Sequence, residues 1–352
     1  MAGTPARETP AYTCERADLA RDRDAILAIW RGNLGREASL AGKYDWFYTK
    51  GEAGSPIAML LRHASSSLPV GIAAAGPRRA IWCGRNVRIG VLVDMAVVPE
   101  HRSLYPALLL QRALQQTVPG EFAALYGFPN PKAAAVFVRA GYSRTIEVRR
   151  YVRVLRPGTY LRRRLPGWVA RLLGPPLDLL LAAWDSLRAR GSRAFSANWR
   201  ADADPRVDDL WRATPHGTGP IAVRDLSFLR WRFDHKPAAA FRYLMVEGGG
   251  GRLVAWFACE DDETTLVIRD FWTGEGCDGL DPSIVWLLLR EARKGGYSAV
   301  SMEFGGSAVI FRTLEAAGFA ARSSRPFFSF FGPGPASARA AAWHVTSADE
   351  DE

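Results

Sequence analysis

Apolar and polar positions along this chain follow two alternating rhythms. From Arg21 to Asn33, Ile26, Leu27, Ile29 and Trp30 fall close to one stripe at helical spacing, which predicts an amphipathic helix. Ile57 to Arg62, Val70 to Ala75 and Ala80 to Arg85 then predict meander strands, and "GVLVDMAVV" (90–98) predicts a further strand. The next helical stretch begins only at Pro106 and runs to Gln116. Several strands before the next helix predict an α+β arrangement, a mixed but mostly antiparallel sheet flanked by helices, rather than a doubly wound sheet.

The rhythm then recurs. "YDWFYTKGEAGSPIAMLL" (44–61) and "LRWRFDHKPAAAFRYLMV" (229–246) each carry a Trp, Trp46 or Trp231, then a basic residue, a Pro and a strand-like run. "GVLVDMAVV" is answered by "TTLVIRDFW" (264–272), each with one Asp, and a helical stretch follows each, Pro106 to Gln116 and Pro282 to Lys294. The runs "AALYGF" (123–128) and "AVSMEF" (299–304) come next, and each half closes with a short helix ending in Gly-aromatic. This order predicts two domains of one plan, at 1–155 and 206–352, joined by a basic helical linker over 156–205.

Charge changes the picture in that linker. Residues 149–200 hold twelve arginines, no lysine and two acids, Asp178 and Asp185, which accounts for the whole net charge of +10. A basic protein surface is therefore not implied, and this distribution argues against a general nucleic-acid partner. Leu177, Leu180, Leu181, Trp184 and Leu187 form a stripe with both acids off it, so residues 177–190 are expected to be an amphipathic helix. Two readings follow: it packs on a domain and bridges the copies, or, with Arg162, Arg163 and Arg164, the segment 150–200 lies on an anionic membrane surface. "LDLLLAAW" is too short to span a bilayer, and "MAGTPARETP" lacks the apolar core of a signal peptide, so the expected location is cytoplasmic, with a membrane-peripheral variant.

The remaining composition excludes more than it assigns. With 48% hydrophobic and 23% charged residues, the 352-residue chain has the make-up of a globular protein. Its four cysteines are scattered without a CxxC pair, so no metal site is expected. There is no G-x-S-x-G elbow and no Walker loop, and "GGGG" at 248–251 reads as a turn between strands.

The chemistry concentrates in "VDMAVVPEHRSLYPALLLQRAL" and "GFPNPKAAAVFVRAGY". These stretches resemble the GNAT superfamily of acyl-CoA-dependent N-acyltransferases, in which a strand runs into V-x-P-x-x-R and then a Gly-rich turn before a helix. Val97, Arg102, Ser103, Leu104, Tyr105 and Ala107 stand at the acyl-CoA loop, and Asn130 precedes the later helix that ends in Gly141 and Tyr142. The resemblance implies GNAT-like domains, the second degenerate, an acyl-CoA co-substrate (acetyl-CoA first) and an amine acceptor, such as an amino sugar or amino acid in envelope or polysaccharide assembly. In such a loop backbone N–H groups and the helix dipole meet the pyrophosphate. The preceding strand, splayed from its neighbour, pairs with the pantetheine arm.

Here the pattern departs. Tyr105 replaces a glycine, Pro106 removes an N–H, and Phe137 stands where the family's proton-donating Tyr would fall. Asp94, on the strand, and His101, at its exit, are the candidate catalytic bases, while Asp270 and Glu303 are candidate acceptor-binding acids in the second copy. Its loop "TGEGCDGLDP" is acidic and would repel a pyrophosphate. Two other readings remain beside the acyl-CoA enzyme. One is a transferase similar to the FemAB group, which uses aminoacyl-tRNA, the only nucleic acid then expected. The other is a non-catalytic binding or scaffold protein on degenerate domains.

Overall fold

The computed structural model describes residues 11–35, 37–161, 166–189, 194–237, 239–332 and 343–350. They divide into two compact units. Residues 11–79, 87–145 and 327–332 make the first, and residues 80–86, 146–326 and 343–350 make the second. The unit change falls near 146 rather than at 155, and the segment expected to be a linker folds within the second unit.

The first unit starts with β1 (Tyr12–Arg16), α1 (Arg23–Trp30) and α2 (Glu37–Lys43), which continues into a π-helical turn, Tyr44–Thr49. There follow β2 (Ile57–His63), β3 (Pro69–Trp82), β4 (Arg85–Val97), α3 (Leu104–Gln115), α4 (Val118–Glu121), β5 (Ala124–Gly127) and α5 (Pro131–Ala140), with the tip of β3 and β4 at 80–86 counted to the second unit. Strand order is β1-β2-β3-β4-β5. β1–β2 and β2–β3 pair antiparallel, whereas β4–β5 is parallel. Leu110 and Leu114 of α3 are fully buried against Ile57, Leu61 and Leu125. Burial of each such leucine is worth about 1.5–3 kcal/mol, and this holds the helix on the sheet.

The expected strands at 70–75 and 80–85 are one strand, β3. Gly76 lies inside the strand and is needed for packing: a Cβ there would lie 2.4 Å from the Phe47 ring. The true turn follows at Cys83 and Gly84, both at positive φ, 50° and 72°, a pair of left-handed residues that suits a tight hairpin.

The second unit contains most of β6 (Ser143–Val154), then α6 (Pro157–Leu161), α7 (Gly167–Arg188), β7 (Ser196–Arg200), α8 (Val207–Ala213), β8 (Ile221–Ala222) and α9 (Leu226–Leu229). A second π-helical turn, Arg230–Asp234, leads to β9 (Phe241–Glu247), β10 (Leu253–Asp262), β11 (Thr265–Thr273), α10 (Pro282–Lys294), β12 (Ala299–Gly305) and α11 (Ala308–Ala316). β13 (Ala320–Phe331) and β14 (Val345–Thr346) complete the chain. The strand order is β7-β9-β10-β11-β12-β6, antiparallel except for β11–β12. The last five residues of β13 belong to the first unit, where Phe328 pairs with Gly127 and Phe331 with Ala124.

α7 is longer than the sequence reading, starting ten residues before Leu177, and it turns its acids rather than its leucines to the protein. Asp185 is buried and accepts from Arg153 and Arg293, both at 2.7 Å, and Asp178 accepts from the Gly158 N–H at 2.8 Å. The leucine and tryptophan stripe faces solvent. Gly158 and Gly174 let α6 and α7 touch backbone to backbone, since a Cβ on Gly158 would sit 3.0 Å from the Gly174 Cα. Arg162, Arg163 and Arg164 lie outside the described residues.

Candidate functional site

β4 and β5 form a parallel pair only from Ile89↔Ala124 to Val91↔Tyr126. Beyond that point β4 runs on to Val97 while still held by β3, with the Val98 N–H donating to the Val70 carbonyl at 2.9 Å. Among the described residues no strand pairs with 92–97 on the β5 side. The strands part where Leu92 leans over Gly127, whose missing Cβ would lie 3.1 Å from the Leu92 Cβ and 3.3 Å from the Phe137 ring. A backbone edge that meets no partner strand is the feature an extended ligand pairs with.

Two features fix the course of β4 here. Asp94 sits mid-strand at φ 54°, a left-handed residue that re-aims the strand as a bulge does. Its carboxylate is buried and accepts from Lys43 Nζ at 2.7 Å and from the Tyr48 hydroxyl at 2.9 Å. Both partners come from α2 and its π-helical turn. Asp94 therefore anchors this bend of the strand, and its two oxygens are already engaged; it is not a free base.

At the exit of β4, Pro99–His101 makes one 3-10 turn and Ser103 caps α3 in an extended conformation without a side-chain hydrogen bond. The helix begins at Leu104, two residues before the expected start, so Pro106 is its third residue. Leu104 and Tyr105 keep N–H groups in the first turn, where helices have no internal acceptors. Ala107 and Val97 are buried, whereas Ser103, Leu104, Tyr105 and Arg102 are exposed. The Arg102 guanidinium donates to the Val97 carbonyl at 3.4 Å and to Asn33, and so stands beside the end of β4.

The remaining candidates separate. His101 Nδ1 meets the Tyr12 hydroxyl at 3.0 Å, and its ring lies 4.8 Å from that of His63. Tyr12 and His63 belong to β1 and β2, on the far side of β3 from β5, so His101 does not face the parted edge. The Tyr105 ring turns the same way, 6.3 Å from Tyr12. The bulk that Tyr105 brings in place of the family's glycine is thus directed toward β1. Asn130 caps α5, its Oδ1 accepting from Lys132 N at 3.1 Å and Ala133 N at 2.9 Å, which leaves its role local. Phe137 is buried at the parting point against Tyr142 and Phe328. The nearby Tyr142 hydroxyl is buried and its pKa is driven up by burial, which makes it a poor source of charge.

The second unit repeats the parting and fills it. β11 and β12 pair from Thr265↔Ala299 to Ile268↔Met302 and then separate. β14 enters beside β12, Phe304↔Thr346 and Gly305↔Val345. Asp270, expected to face a cleft, is wholly buried: Arg224 Nε donates to it at 3.0 Å and Thr346 Oγ1 at 2.8 Å, while Arg224 also pairs with Asp349 at 2.6 Å. Desolvation raises the Asp270 pKa, partly offset by Arg224. Arg232 donates to the Ala348 and Glu350 carbonyls at 3.0 and 2.8 Å. Glu303 is partly exposed but bound to Arg325 at 2.6 Å, which also holds Glu350. Neither acid stands in an open cleft, so the acceptor-binding role expected of them has no site here. Sequence reasoning missed this segment, although Thr346 and Asp349 form a capping box that was readable in "TSAD".

Elsewhere in this unit a cavity of about 330 Å³ is lined by Arg206, Leu210, Thr214, Arg252, Leu253 and Val254, and none of the sequence candidates reaches it. Among the described residues no group of three His, Cys, Asp or Glu side chains is placed to hold a metal.

No protein-family model and no curated protein matches the chain. Solved structures do match its fold. A conserved protein of unknown function from Enterococcus faecalis V583, described as a probable N-acyltransferase, aligns over 92% of this chain and 73% of its own at TM-score 0.66 and 9% identity. A GCN5-related N-acetyltransferase from Anabaena variabilis aligns over 91% and 72% at TM-score 0.61 and 13% identity. Saccharomyces cerevisiae N-myristoyltransferase, with bound myristoyl-CoA, aligns over 94% and 85% at TM-score 0.50 and 11% identity. The expected α+β fold of the GNAT kind is the fold observed; at these identities the likeness is one of fold.

Proposed function

We propose that the chain is an N-acyltransferase of the GNAT type, built from two copies of one unit, and that its acyl-CoA site lies in the first unit between β4 and β5. The observation that carries this is the unfilled parting after Val91 and Tyr126, with the N-terminus of α3 and Arg102 at its end. The residues fit the co-substrate in three respects. The free edge of β4 offers backbone groups to a pantetheine arm, the first turn of α3 offers N–H groups to a pyrophosphate, and Arg102 offers a charge-assisted contact. Bound acyl-CoA supplies the thioester carbonyl, which a neutral amine attacks and from which the thiol departs. An amino sugar or an amino acid is the proposed acceptor class. Asp94 and His101 are engaged elsewhere and Phe137 cannot donate a proton, so the contribution of this unit is to hold and orient the reactants.

Calorimetric titration with acetyl-CoA and longer acyl-CoAs tests the reading. Arg102→Ala should weaken binding about ten- to a hundredfold, because a hydrogen bond to a charged group contributes about 1.5–3 kcal/mol. Absence of heat with every acyl-CoA at millimolar concentration would end the reading.

A further inference from the structure

α7 presents the wrong face to the protein. Trp168, Leu172, Leu179, Leu180, Trp184 and Leu187 are all exposed, with Trp168 at 73%, Leu179 at 70% and Leu180 at 69%. Apart from the adjacent pair Leu179–Leu180, they recur at spacings of three, four and seven, and they run for about 28 Å along the helix, at 1.5 Å per residue. The face turned to the second unit is narrow and carries Gly174, Asp178, Ala182 and Asp185, with both carboxylates bonded inward. A helix stabilised only by packing would place leucines inward and acids outward. A contiguous exposed apolar strip of this kind marks an interaction surface.

Charge selects the occupant. The segment 149–200 holds twelve arginines, and its two acids are the inward-facing ones, so no acid of α7 points outward. Arg171 and Arg188 are exposed on the same helix, and Trp168 and Trp184 stand near its two ends. Leucines outward, tryptophans at the ends and arginines that can extend to phosphates are the pattern of a helix lying in a lipid interface. A second copy of the chain docking on this face would set the same arginines against each other. No helix among the described residues is long and apolar enough to cross a membrane. We propose that α7 lies in the interfacial layer of an anionic phospholipid bilayer, its leucines and tryptophans in the acyl boundary and its arginines on the headgroups.

The test is co-sedimentation of the full chain with vesicles of phosphatidylcholine alone and of phosphatidylcholine with phosphatidylglycerol, at low and high salt, with light scattering of the free protein. Wild type should sediment with the anionic vesicles and be partly released by salt. Leu179→Glu combined with Leu180→Glu should lower partitioning at least about tenfold, since two leucines no longer enter the apolar layer, with an unchanged melting temperature because both positions are exposed. Arg171→Gln with Arg188→Gln should reduce the preference for anionic over neutral vesicles. Wild type remaining in the supernatant with anionic vesicles at low salt overturns the proposal. So does a wild-type dimer that the Leu179→Glu, Leu180→Glu variant dissolves, because the face would then belong to a second copy.

Discussion

In the first unit β4 and β5 stop pairing after Val91 and Tyr126; in the second, β11 and β12 stop after Ile268 and Met302. Both partings follow an Asp-bearing strand, and in both the Asp is buried and bonded to a cation, Asp94 to Lys43 and Asp270 to Arg224. The difference is what lies between the strands. In the second unit the chain inserts its own β14, so the edge of β12 is satisfied by backbone from Val345 and Thr346. In the first, no described strand does so. Buried backbone donors and acceptors need partners. A parting closed by the chain is a structural joint, and one left open is available to a ligand. On this contrast the second unit's sequence candidates became structural residues, and the first unit became the proposed site.

The contrast has an energetic counterpart, and the largest expected effect tests it. Arg224 is wholly buried and joins Asp270 to Asp349. Arg224→Met would strand two buried carboxylates, and breaking such a network costs about 3–5 kcal/mol. Lys43 is partly exposed, and Asp94 keeps the Tyr48 hydroxyl, so Lys43→Met should cost less, about 1–3 kcal/mol. Urea unfolding of both variants measures the difference. Equal losses would mean that the two joints are alike and that the contrast drawn from their burial is wrong.

Much of this was legible in the chain and some was not, for identifiable reasons. The strand rhythm, the helices at Pro282 to Lys294 and after Asn130, and the strand–loop–helix passage through Arg102 follow from local periodicity and capping, which the structure keeps. The parting itself was expected only from family resemblance, since no local pattern records where two strands cease to pair. Asp94, His101 and Asp270 stand out in the sequence as candidate bases and acids, but sequence shows a residue type and not its partners. Lys43, Tyr12 and Arg224 lie 51, 89 and 46 positions away from them. α7 shows the converse limit. Periodicity fixes only the relative angle of its two faces, so the stripe was legible while the packed and the membrane-facing orientations both stayed open.

A second, smaller effect concerns the inserted segment and pH. His344 is buried among Phe271, Trp272 and Phe304, and neither ring nitrogen has a partner among the described residues. Burial, helped by the nearby Arg224 charge, holds its pKa well below the ordinary value. The folded state therefore keeps His344 neutral while the unfolded chain binds a proton below about pH 6.5. Its contribution to stability is complete above that pH and declines as pH falls, by at most about 1.4 kcal/mol per pH unit. His344→Phe removes the titration and abandons no hydrogen bond. The difference in stability between variant and wild type should grow in the variant's favour from pH 7.5 to pH 5.5, as followed by thermal melts. Parallel pH profiles would show that β14 leaves its place before His344 titrates, and the filled parting would then be a looser joint than the geometry implies.

The smallest expected effect sharpens the open side. Pro106 is the third residue of α3, where it withholds one of the four N–H groups that a helix N-terminus leaves without internal acceptors. Pro106→Ala supplies that donor. If a pyrophosphate rests on this turn, one additional hydrogen bond of ordinary worth, about 0.5–1.5 kcal/mol, should tighten acyl-CoA binding roughly two- to tenfold. The substitution also frees the unfolded chain, so stability should fall by about 0.4–1 kcal/mol. Affinity and stability are thus expected to move in opposite directions, which separates a donor gained at the ligand from a general loosening of the helix. The same calorimetric titration, run beside a thermal melt, reads both. Tighter binding places the phosphates on the first turn of α3. Unchanged binding would move them off it, leaving Arg102 and the free edge of β4 to hold the co-substrate. Weaker binding would mean that the fixed backbone of Pro106, rather than the number of its N–H groups, is what the loop provides.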